Sequence, residues 1–279
     1  MLPNLFIIGA QKSGTTSLHK ILGNHPAVFF PRRPQEIHFF DINKNYAKGV
    51  HWFESYFAEW HGEKVIAQTS PLYLYEPVVP SRIHALVPHA KFICILRNPV
   101  DRAYSHYWHE VCYGYEDLNF EEALDREKER IVQGFDYRRH YSYIDRGRYA
   151  RQISRFLELF PKEHFLILLY DELRESPESM CIRCEEFLEI ERGTISYSRN
   201  NGLVYNAAHS PRIKRLQKLT RPLRSSFPLF IHYIDRMNLK GFRYPPMPQT
   251  VRVRLLKELK HEIIALEELT QMKLEKWRA

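Results

Sequence analysis

The feature that most constrains the fold is a short apolar run followed by a loop that begins and ends with glycine. Residues 5–8 are apolar, as in a buried strand. Residues 9–14 form the loop, and from Thr15 onward apolar residues recur at helical spacing. A strand, a glycine loop and a helix N-terminus direct backbone N–H groups into a concavity that favours an anion. The stretch therefore predicts a phosphate site, to which Lys12 adds a positive charge.

The spacing of Gly9 and Gly14 matches the phosphate loop of nucleotide triphosphatases, but the residues that follow differ. Those enzymes place a lysine and then Ser or Thr directly after the second glycine, for the β- and γ-phosphates and Mg²⁺. Here Thr15 and Thr16 stand at these positions, and Lys12 lies inside the loop. We therefore expect a loop that holds a phosphate without the usual lysine and metal-binding hydroxyl.

A second cationic element follows another apolar strand, predicted over residues 92–96. Arg97 leaves this strand at its carboxyl end, and Ser105 lies on the helix that begins near Val100. A guanidinium and a hydroxyl together form a good clamp for a phosphate. The alternative is that Arg97 pairs with Asp101, caps the helix and meets no ligand.

Both elements resemble motifs of the sulfotransferases that use 3′-phosphoadenosine-5′-phosphosulfate (PAPS). The resemblance implies that the glycine loop binds the 5′-phosphosulfate and that Lys12 neutralises the departing phosphate. Residues 206–212 resemble a short form of the loop that covers the adenine and the 3′-phosphate, although they lack the family's Lys-Gly pair. The residues assigned to the cofactor in this way are Gln11, Lys12, Ser13, Gly14, Thr15, Thr16, Ser17, Arg97, Ser105 and Arg212.

Residues 32–41 combine two carboxylates and an imidazole with flanking rings and arginines. Sulfuryl transfer to an alcohol needs a base for the hydroxyl proton and cations for the developing negative charge. The stretch resembles the heparan-sulfate branch of the family, and this resemblance assigns Glu36 as the catalytic base. Gln35 stands where that branch has a lysine. His38 is a second catalytic candidate, and His38 and His106 remain alternatives because the cytosolic branch uses a histidine base.

A further stretch, residues 68–73, follows a short predicted strand and resembles the family element that lines the acceptor cleft. The resemblance assigns Gln68, Ser70 and Tyr73 to acceptor binding, together with Glu36 and His38. Gln68 stands where the family often has a glutamate. A turn fixed by its proline is the alternative interpretation of this stretch.

Apolar runs that are typical of strands alternate with helical stretches along the whole chain. Strands are predicted at residues 5–8, 65–67, 92–96 and 165–169, and helices at 17–22, 81–86, 100–108, 120–133, 149–160, 177–188 and 250–277. The alternation predicts an α/β fold, a P-loop-like three-layer α/β/α domain over residues 1–279 with a mostly parallel central sheet. Residues 196–249 show a weaker pattern and are interpreted as a mobile cover over the site.

The composition limits the classes of function without selecting one. Of the 279 residues, 44% are hydrophobic and 27% are charged, which is ordinary for a globular protein. The net charge of +8 fits a ligand with several phosphates, a nucleic acid or an acidic glycan. Cys181 and Cys184 are interpreted as buried thiols, and no metal site is predicted. Because no long apolar segment occurs, we expect no membrane attachment and a cytoplasmic location.

The resemblance implies a bacterial soluble type of PAPS-dependent sulfotransferase that acts on a hydroxyl or amine of a small-molecule or carbohydrate acceptor. The product from PAPS would be 3′-phosphoadenosine-5′-phosphate (PAP). The rival is a P-loop kinase or nucleotide triphosphatase that uses ATP and Mg²⁺, with Asp171 after an apolar strand as its Walker B residue. Thr15 at the Walker lysine position argues against that rival. A nucleic-acid-binding module is a third class, but no motif of one is present.

Overall fold

The computed structural model describes residues 1–32, 34–195, 209–211, 216, 220, 227, 231, 233–234, 237–241 and 244–278. A five-stranded sheet forms the centre, and all its strands are parallel. Its order is β2-β3-β1-β4-β5, with β1 at Leu5–Gly9, β2 at Val28–Phe29, β3 at Val65–Thr69, β4 at Lys91–Leu96 and β5 at Phe165–Leu169. The predicted α/β fold with a parallel sheet is confirmed, whereas the two-residue strand β2 was not predicted.

Helices connect the strands and cover the sheet. They are α1 (Thr15–Leu22), α2 (Asn43–Tyr46), α3 (Val50–Glu54), α4 (Val79–Leu86), α5 (Pro99–Cys112), α6 (Phe120–Asp125), α7 (Glu127–Ile131), α8 (Phe135–Tyr141), α9 (Tyr149–Leu157), α10 (Tyr170–Glu175), α11 (Pro177–Leu188) and α12 (Gln249–Thr270). A separate antiparallel pair joins β6 (His209–Pro211) to β7 (Leu239–Gly241). In the part of the chain that the structure describes, no helix is both long and apolar enough to cross a membrane.

Two helix predictions were wrong in their extent. The helix predicted over residues 120–133 breaks at Arg126 into α6 and α7. After the break, Glu127 is buried and accepts the backbone N–H groups of Ile144 and Asp145, each at 2.7 Å. These tertiary hydrogen bonds outweigh the helical pattern, which continues through the break in the sequence. The helix predicted to reach residue 277 ends at Thr270.

Two hydrophobic clusters bury the two faces of the sheet. Along β1 the side chains alternate, as the period of a strand requires: Phe6 and Ile8 enter one cluster, and Leu5 and Ile7 enter the other. The first cluster includes buried residues of α4, α5, α9 and α12, and the second includes those of α1 and α11. The predicted three layers are present, and the thiols of α11 are buried as expected.

The sheet order fixes where a ligand can bind. From β1 the chain proceeds to β2 and β3 on one side of β1, and then to β4 and β5 on the other side. In such sheets a crevice opens at the carboxyl ends of the strands where the winding direction changes. The loop after β1 and Arg97 after β4 therefore meet at the same edge.

Candidate active site at the carboxyl ends of the strands

The loop between β1 and α1 has a backbone that requires glycine. Gly14 has a φ of 100°, and a Cβ there would lie 2.9 Å from Leu173 Cδ2. At Gly9 an added Cβ would lie 2.9 Å from Leu74 Cβ. The first turn of α1 carries neither an acidic residue nor a side-chain cap. Its backbone N–H groups are thus arranged to favour an anion.

The loop residues assigned to the cofactor divide into two groups. Ser13, Thr15 and Ser17 are buried, so they contribute to the loop mainly through its backbone and its internal packing. The other four residues of the loop are partly exposed, namely Gln11, Lys12, Gly14 and Thr16.

Lys12 is held by a residue that the sequence analysis did not assign. Its Nζ lies 3.4 Å from Nδ1 of His109 on α5. Burial, opposed by the charge of Glu110 and assisted by that of Arg97, lowers the pKa of Lys12 to about 8. Burial and the charge of Lys12 lower the pKa of His109 to about 3. The imidazole is therefore neutral and accepts the hydrogen bond, and an anion in the loop would favour the charged lysine.

Arg97 reaches the phosphate loop from the neighbouring strand. Its Nη1 donates to the carbonyl oxygen of Lys12 at 3.4 Å, and its guanidinium lies 5.0 Å from the ring centre of Tyr170. Asp101 does not pair with Arg97 but forms an ion pair with Arg252. The alternative interpretation of Arg97 as a cap paired with Asp101 is therefore wrong. Among the described residues, Arg97 has no carboxylate partner.

A cavity of about 310 Å³ lies next to Arg97. Tyr104 of α5 lines it, and Ser105, the other predicted contact for the 3′-phosphate, follows directly on that helix and is half-buried. The opposite wall is formed by residues 244–247. A phosphate beside Arg97 would therefore lie between α5 and the segment that leads into α12.

The predicted cover of the adenine and the 3′-phosphate, residues 206–212, is only partly described. The structure describes residues 209–211 of it, so Arg212 lies outside the described residues. The wall that the structure describes opposite α5 is residues 244–247.

Glu36, His38 and Asp41 form a continuous chain of contacts. Nδ1 of His38 lies 2.7 Å from Asp41 Oδ2, and Nε2 lies 3.3 Å from Glu36 Oε2. Burial lowers the pKa of His38, but the hydrogen bonds to Asp41 and Glu36 outweigh it and raise the pKa to about 9. At neutral pH His38 therefore carries a proton on both nitrogens and cannot accept another. The Glu36 side chain is 41% exposed and is the member that an acceptor can reach.

Tyr73 holds the backbone of the stretch that carries this chain of contacts. Its hydroxyl accepts the backbone N–H of Phe39 at 3.2 Å and that of Phe40 at 3.4 Å. Three of the five residues predicted to bind the acceptor are fully buried, namely Gln68, Ser70 and Tyr73. Pro71 and Leu72 line the cavity in their place. The structure thus puts the predicted side chains in a supporting layer.

A cavity of about 660 Å³ brings the phosphate loop and the Glu36 stretch together. Gln11, Glu36 and His38 are among the residues that line it. The lining also includes residues of α5, α8 and their flanking turns that the sequence analysis missed, namely His109, Glu110, Tyr113, Tyr115, Arg139, His140 and Arg146. One available signal was the i+4 spacing of His109 from Ser105, which places both on one face of α5.

Glu110 is a buried carboxylate between two histidines. Its oxygens lie 3.2 Å from His106 Nε2 and 2.7 Å from His140 Nδ1. Burial opposes ionisation, but these two contacts hold the pKa of Glu110 well below its usual range. His106 is fully buried, and burial lowers its pKa strongly. It cannot touch an acceptor, which removes the support for His106 as the base.

Arg146 connects this wall to the phosphate loop. Its guanidinium is fully buried and donates to the side-chain oxygen of Gln11. It also donates to the carbonyl oxygens of Arg138 at 2.9 Å and Arg139 at 3.1 Å. Burial lowers the pKa of Arg146 to about 10, so the group remains charged at neutral pH.

Comparison with known proteins links these features to relatives. The chain is 28% identical over 271 residues to the bifunctional heparan sulfate N-deacetylase/N-sulfotransferase 1 of Caenorhabditis elegans, which covers 91% of this chain and 28% of that protein. It is 32% identical over 212 residues to the heparan sulfate glucosamine 3-O-sulfotransferase 5 of Mus musculus, covering 74% of this chain and 58% of that protein. The chain thus spans less than two thirds of either relative.

The structure is also similar to a solved one over its whole length. A crystal structure of a sulfotransferase from Alicyclobacillus acidocaldarius matches with a TM-score of 0.76 and 26% identity, and the match covers 100% of both chains. A family profile described as the sulfotransferase domain matches residues 2–202, which include the phosphate loop, the Glu36 stretch and Arg97. The chain therefore belongs to the sulfotransferase domain family.

Proposed function

We propose that this chain transfers a sulfuryl group from PAPS to a hydroxyl or amine group of a small-molecule or carbohydrate acceptor. The observation that carries the proposal is the 660 Å³ cavity, which is lined both by the partly exposed Glu36 and by Gln11 of the phosphate loop. Sulfotransferases use PAPS, which supplies an activated sulfuryl group whose leaving group is the 5′-phosphate of PAP. The names of the relatives, heparan sulfate N- and 3-O-sulfotransferases, support a carbohydrate acceptor.

The residues at the sheet edge fit such a donor. The glycine loop has a close backbone approach and an open helix N-terminus, so its N–H groups and Lys12 would hold the 5′-phosphosulfate. Arg97, without a carboxylate partner among the described residues, and Ser105 would hold the 3′-phosphate. The glycine cradle and the two cations lie on adjacent strands, as a ligand with two phosphate groups requires.

Glu36 is the proposed general base. The positively charged His38 lies 3.3 Å from the Glu36 carboxylate, which accepts the acceptor's proton in this scheme. Asp41 holds His38 from the other side, so the imidazolium is oriented before an acceptor arrives. His38 thus positions Glu36 in this scheme, and it does not itself remove the proton.

Lys12 is the proposed electrostatic catalyst. An ammonium in the phosphate loop neutralises the negative charge that develops on the departing phosphate oxygen. Its hydrogen bond to His109 restrains the side chain near the cavity wall. Because its pKa is about 8, an approaching anion can drive it fully to the charged form.

The kinase alternative receives less support. Asp171 lies in the first turn of α10, directly after β5, and the residue after Gly14 is a threonine and not a lysine. The family match favours sulfuryl transfer over phosphoryl transfer. A cytoplasmic location, and the independence of the reaction from metal, membrane and nucleic acid, stay predictions.

Calorimetric titration with PAP in the absence of metal tests the proposal. We expect clear binding by the wild type and an affinity about 10- to 100-fold lower in Arg97→Ala, because a charge-assisted contact to phosphate is lost. Glu36→Gln is the matched control: it should bind PAP like the wild type and transfer no sulfuryl group to any acceptor that the wild type modifies. Tighter binding of ATP with Mg²⁺ than of PAP would overturn the sulfotransferase proposal.

A further inference from the structure

Two guanidinium groups line the 660 Å³ cavity, and Arg139 is the one whose side chain forms no hydrogen bond or ion pair in the described part of the chain, whereas Arg146 donates to Gln11 and to two carbonyl oxygens. It lines the 660 Å³ cavity and is half-buried. Its neighbour Arg138 pairs with Glu76 at 2.9 Å, and Arg130 pairs with Glu116 at 2.6 Å. No ion pair or side-chain hydrogen bond joins Arg139 to another described residue. The planar fork of N–H groups on a guanidinium matches an anionic group, so a bound ligand is a suitable partner.

The position of Arg139 relative to the reaction centre is fixed by its backbone. Arg146 donates to the carbonyl oxygen of Arg139 and, with the same guanidinium, to the side chain of Gln11 in the phosphate loop. The charge of Arg139 also acts on His109, whose pKa is lowered by burial, then by Lys12 and, to a smaller extent, by Arg139. The backbone of Arg139 is therefore tied to the phosphate loop through Arg146.

The carboxylates of the cavity cannot neutralise this charge because they already have other partners. Glu36 lies against the protonated His38, and Glu110 lies between His106 and His140. Arg139 is therefore available to an anionic group of a molecule that enters the cavity.

The donor is not the best candidate for that molecule. Its phosphate groups have their own sites at the glycine loop and at Arg97, and Arg97 borders the separate 310 Å³ cavity. Around Arg139 the wall instead carries Tyr113 and Tyr115. Flat aromatic side chains suit the face of a sugar or phenyl ring, and the cavity volume is that of a small-molecule site.

We propose that Arg139 binds a carboxylate or similar anionic group on the acceptor, so that the acceptor is an acidic hydroxy or amino compound with a ring. This inference rests on the proposed sulfuryl transfer. A guanidinium meets a carboxylate through two parallel N–H···O contacts, which fixes the orientation of the ligand. The anchored anion would aim the reacting hydroxyl group of the ring at Glu36.

Matched acceptor pairs that differ only in the acidic group test this proposal. One pair is 4-nitrophenyl β-glucuronide and 4-nitrophenyl β-glucoside, and the other is 4-hydroxybenzoate and 4-hydroxybenzyl alcohol. For each compound kcat/KM is measured at saturating PAPS, in the wild type, Arg139→Gln and Arg139→Lys. Arg192→Gln is the control for the loss of one positive charge, because Arg192 is 70% exposed and lines no cavity of the site.

The expected result is a wild-type preference for the acidic member of at least one pair by about tenfold or more. Arg139→Gln should reduce this ratio about tenfold, Arg139→Lys should retain part of it, and Arg192→Gln should retain all of it. Equal kcat/KM for both members in the wild type, or transfer to none of the four compounds, overturns the proposal. An unchanged ratio in Arg139→Gln with a raised KM for PAPS also overturns it, since Arg139 would then serve the donor. Failure of the wild type to bind PAP overturns the sulfotransferase proposal itself.

Discussion

At the scale of single residues, side chains that look equivalent in the sequence differ in their charge in the folded protein. Glu36, His38 and His106 were all candidates for the base, and each is a titratable group near rings. His38 lies between two carboxylates and is protonated, whereas His106 is buried beside one ionised carboxylate and is neutral. Only Glu36 is both ionisable as a base and open to the cavity.

The raised pKa of His38 predicts a pH-dependent contribution to stability. The folded pKa is about 9, above the ordinary value of 6.5. The contribution is therefore fully present below pH 6.5 and is lost as the pH rises through about 9. We expect the wild type to exceed His38→Gln in free energy of unfolding by roughly 3 kcal/mol more at pH 6 than at pH 9.5.

Urea denaturation of both proteins over this pH range measures the difference directly, and effects of other groups cancel in the subtraction. A difference that is constant with pH would show that His38 is not held between charged carboxylates. A difference that grows toward high pH would show that the sign of the pKa shift is wrong.

At the scale of elements, the phosphate loop depends on the contact between α1 and the turn that begins α10. The backbone of Gly14 lies so close to the side chains of Leu173 and Tyr170 that an added Cβ would force one of them to shift. The same close approach places the N-terminus of α1 at the sheet edge, next to Arg97, which lies over Tyr170. A change in the packing of α10 against α1 would therefore change the geometry of the anion site.

Gly14→Ala should destabilise the protein by about 2–4 kcal/mol, from strain at a positive φ and from the contact 2.9 Å from Leu173 Cδ2. Gly193→Ala is the matched control, since Gly193 has a φ of 73° but no atom within 4 Å of an added Cβ. It should cost only about 1 kcal/mol. Chemical denaturation of both variants measures the two losses. Equal losses would mean that α10 yields to the methyl group without cost.

At the scale of the whole molecule, the C-terminal segment supports the phosphate edge of the sheet. The carbonyl oxygen of Trp277 accepts a hydrogen bond from the Asn98 side chain at 3.3 Å. Its ring packs on that of Tyr149, whose hydroxyl donates to the carbonyl oxygen of Arg97 at 3.0 Å. Residues at the far end of the chain thus hold the turn from which Arg97 extends.

Trp277→Ala should destabilise the protein by about 3–5 kcal/mol because the ring is only 2% exposed. It should also weaken PAP binding, since the turn at Arg97 loses its support. Val253→Ala on α12, at a position that is 56% exposed, is the control and should change stability by less than about 0.5 kcal/mol. Thermal unfolding and calorimetry with PAP provide the two measurements. Full PAP affinity in a destabilised Trp277→Ala would disprove the link to Arg97.

Local patterns in the sequence were sufficient for much of the fold. The apolar runs of β1, β4 and β5 and the helical spacing of α1, α5 and α11 depend on neighbours within a few residues. The cap at Asn119 is of the same kind, since its side chain accepts the N–H of Glu122 three residues on. The strand-loop-helix at Lys12 and the strand end at Arg97 were found for this reason.

The sequence by itself determined these strands and helices, the phosphate loop and the stretch that carries Glu36. Only the tertiary structure decided the other wall of the site, because its partners are far apart in the chain. Lys12 meets His109 across 97 residues, and Gln11 meets Arg146 across 135. Folding brings Glu76 next to Arg138 and brings no such partner to Arg139 among the described residues. The local periodicity of the sequence does not encode contacts of this kind.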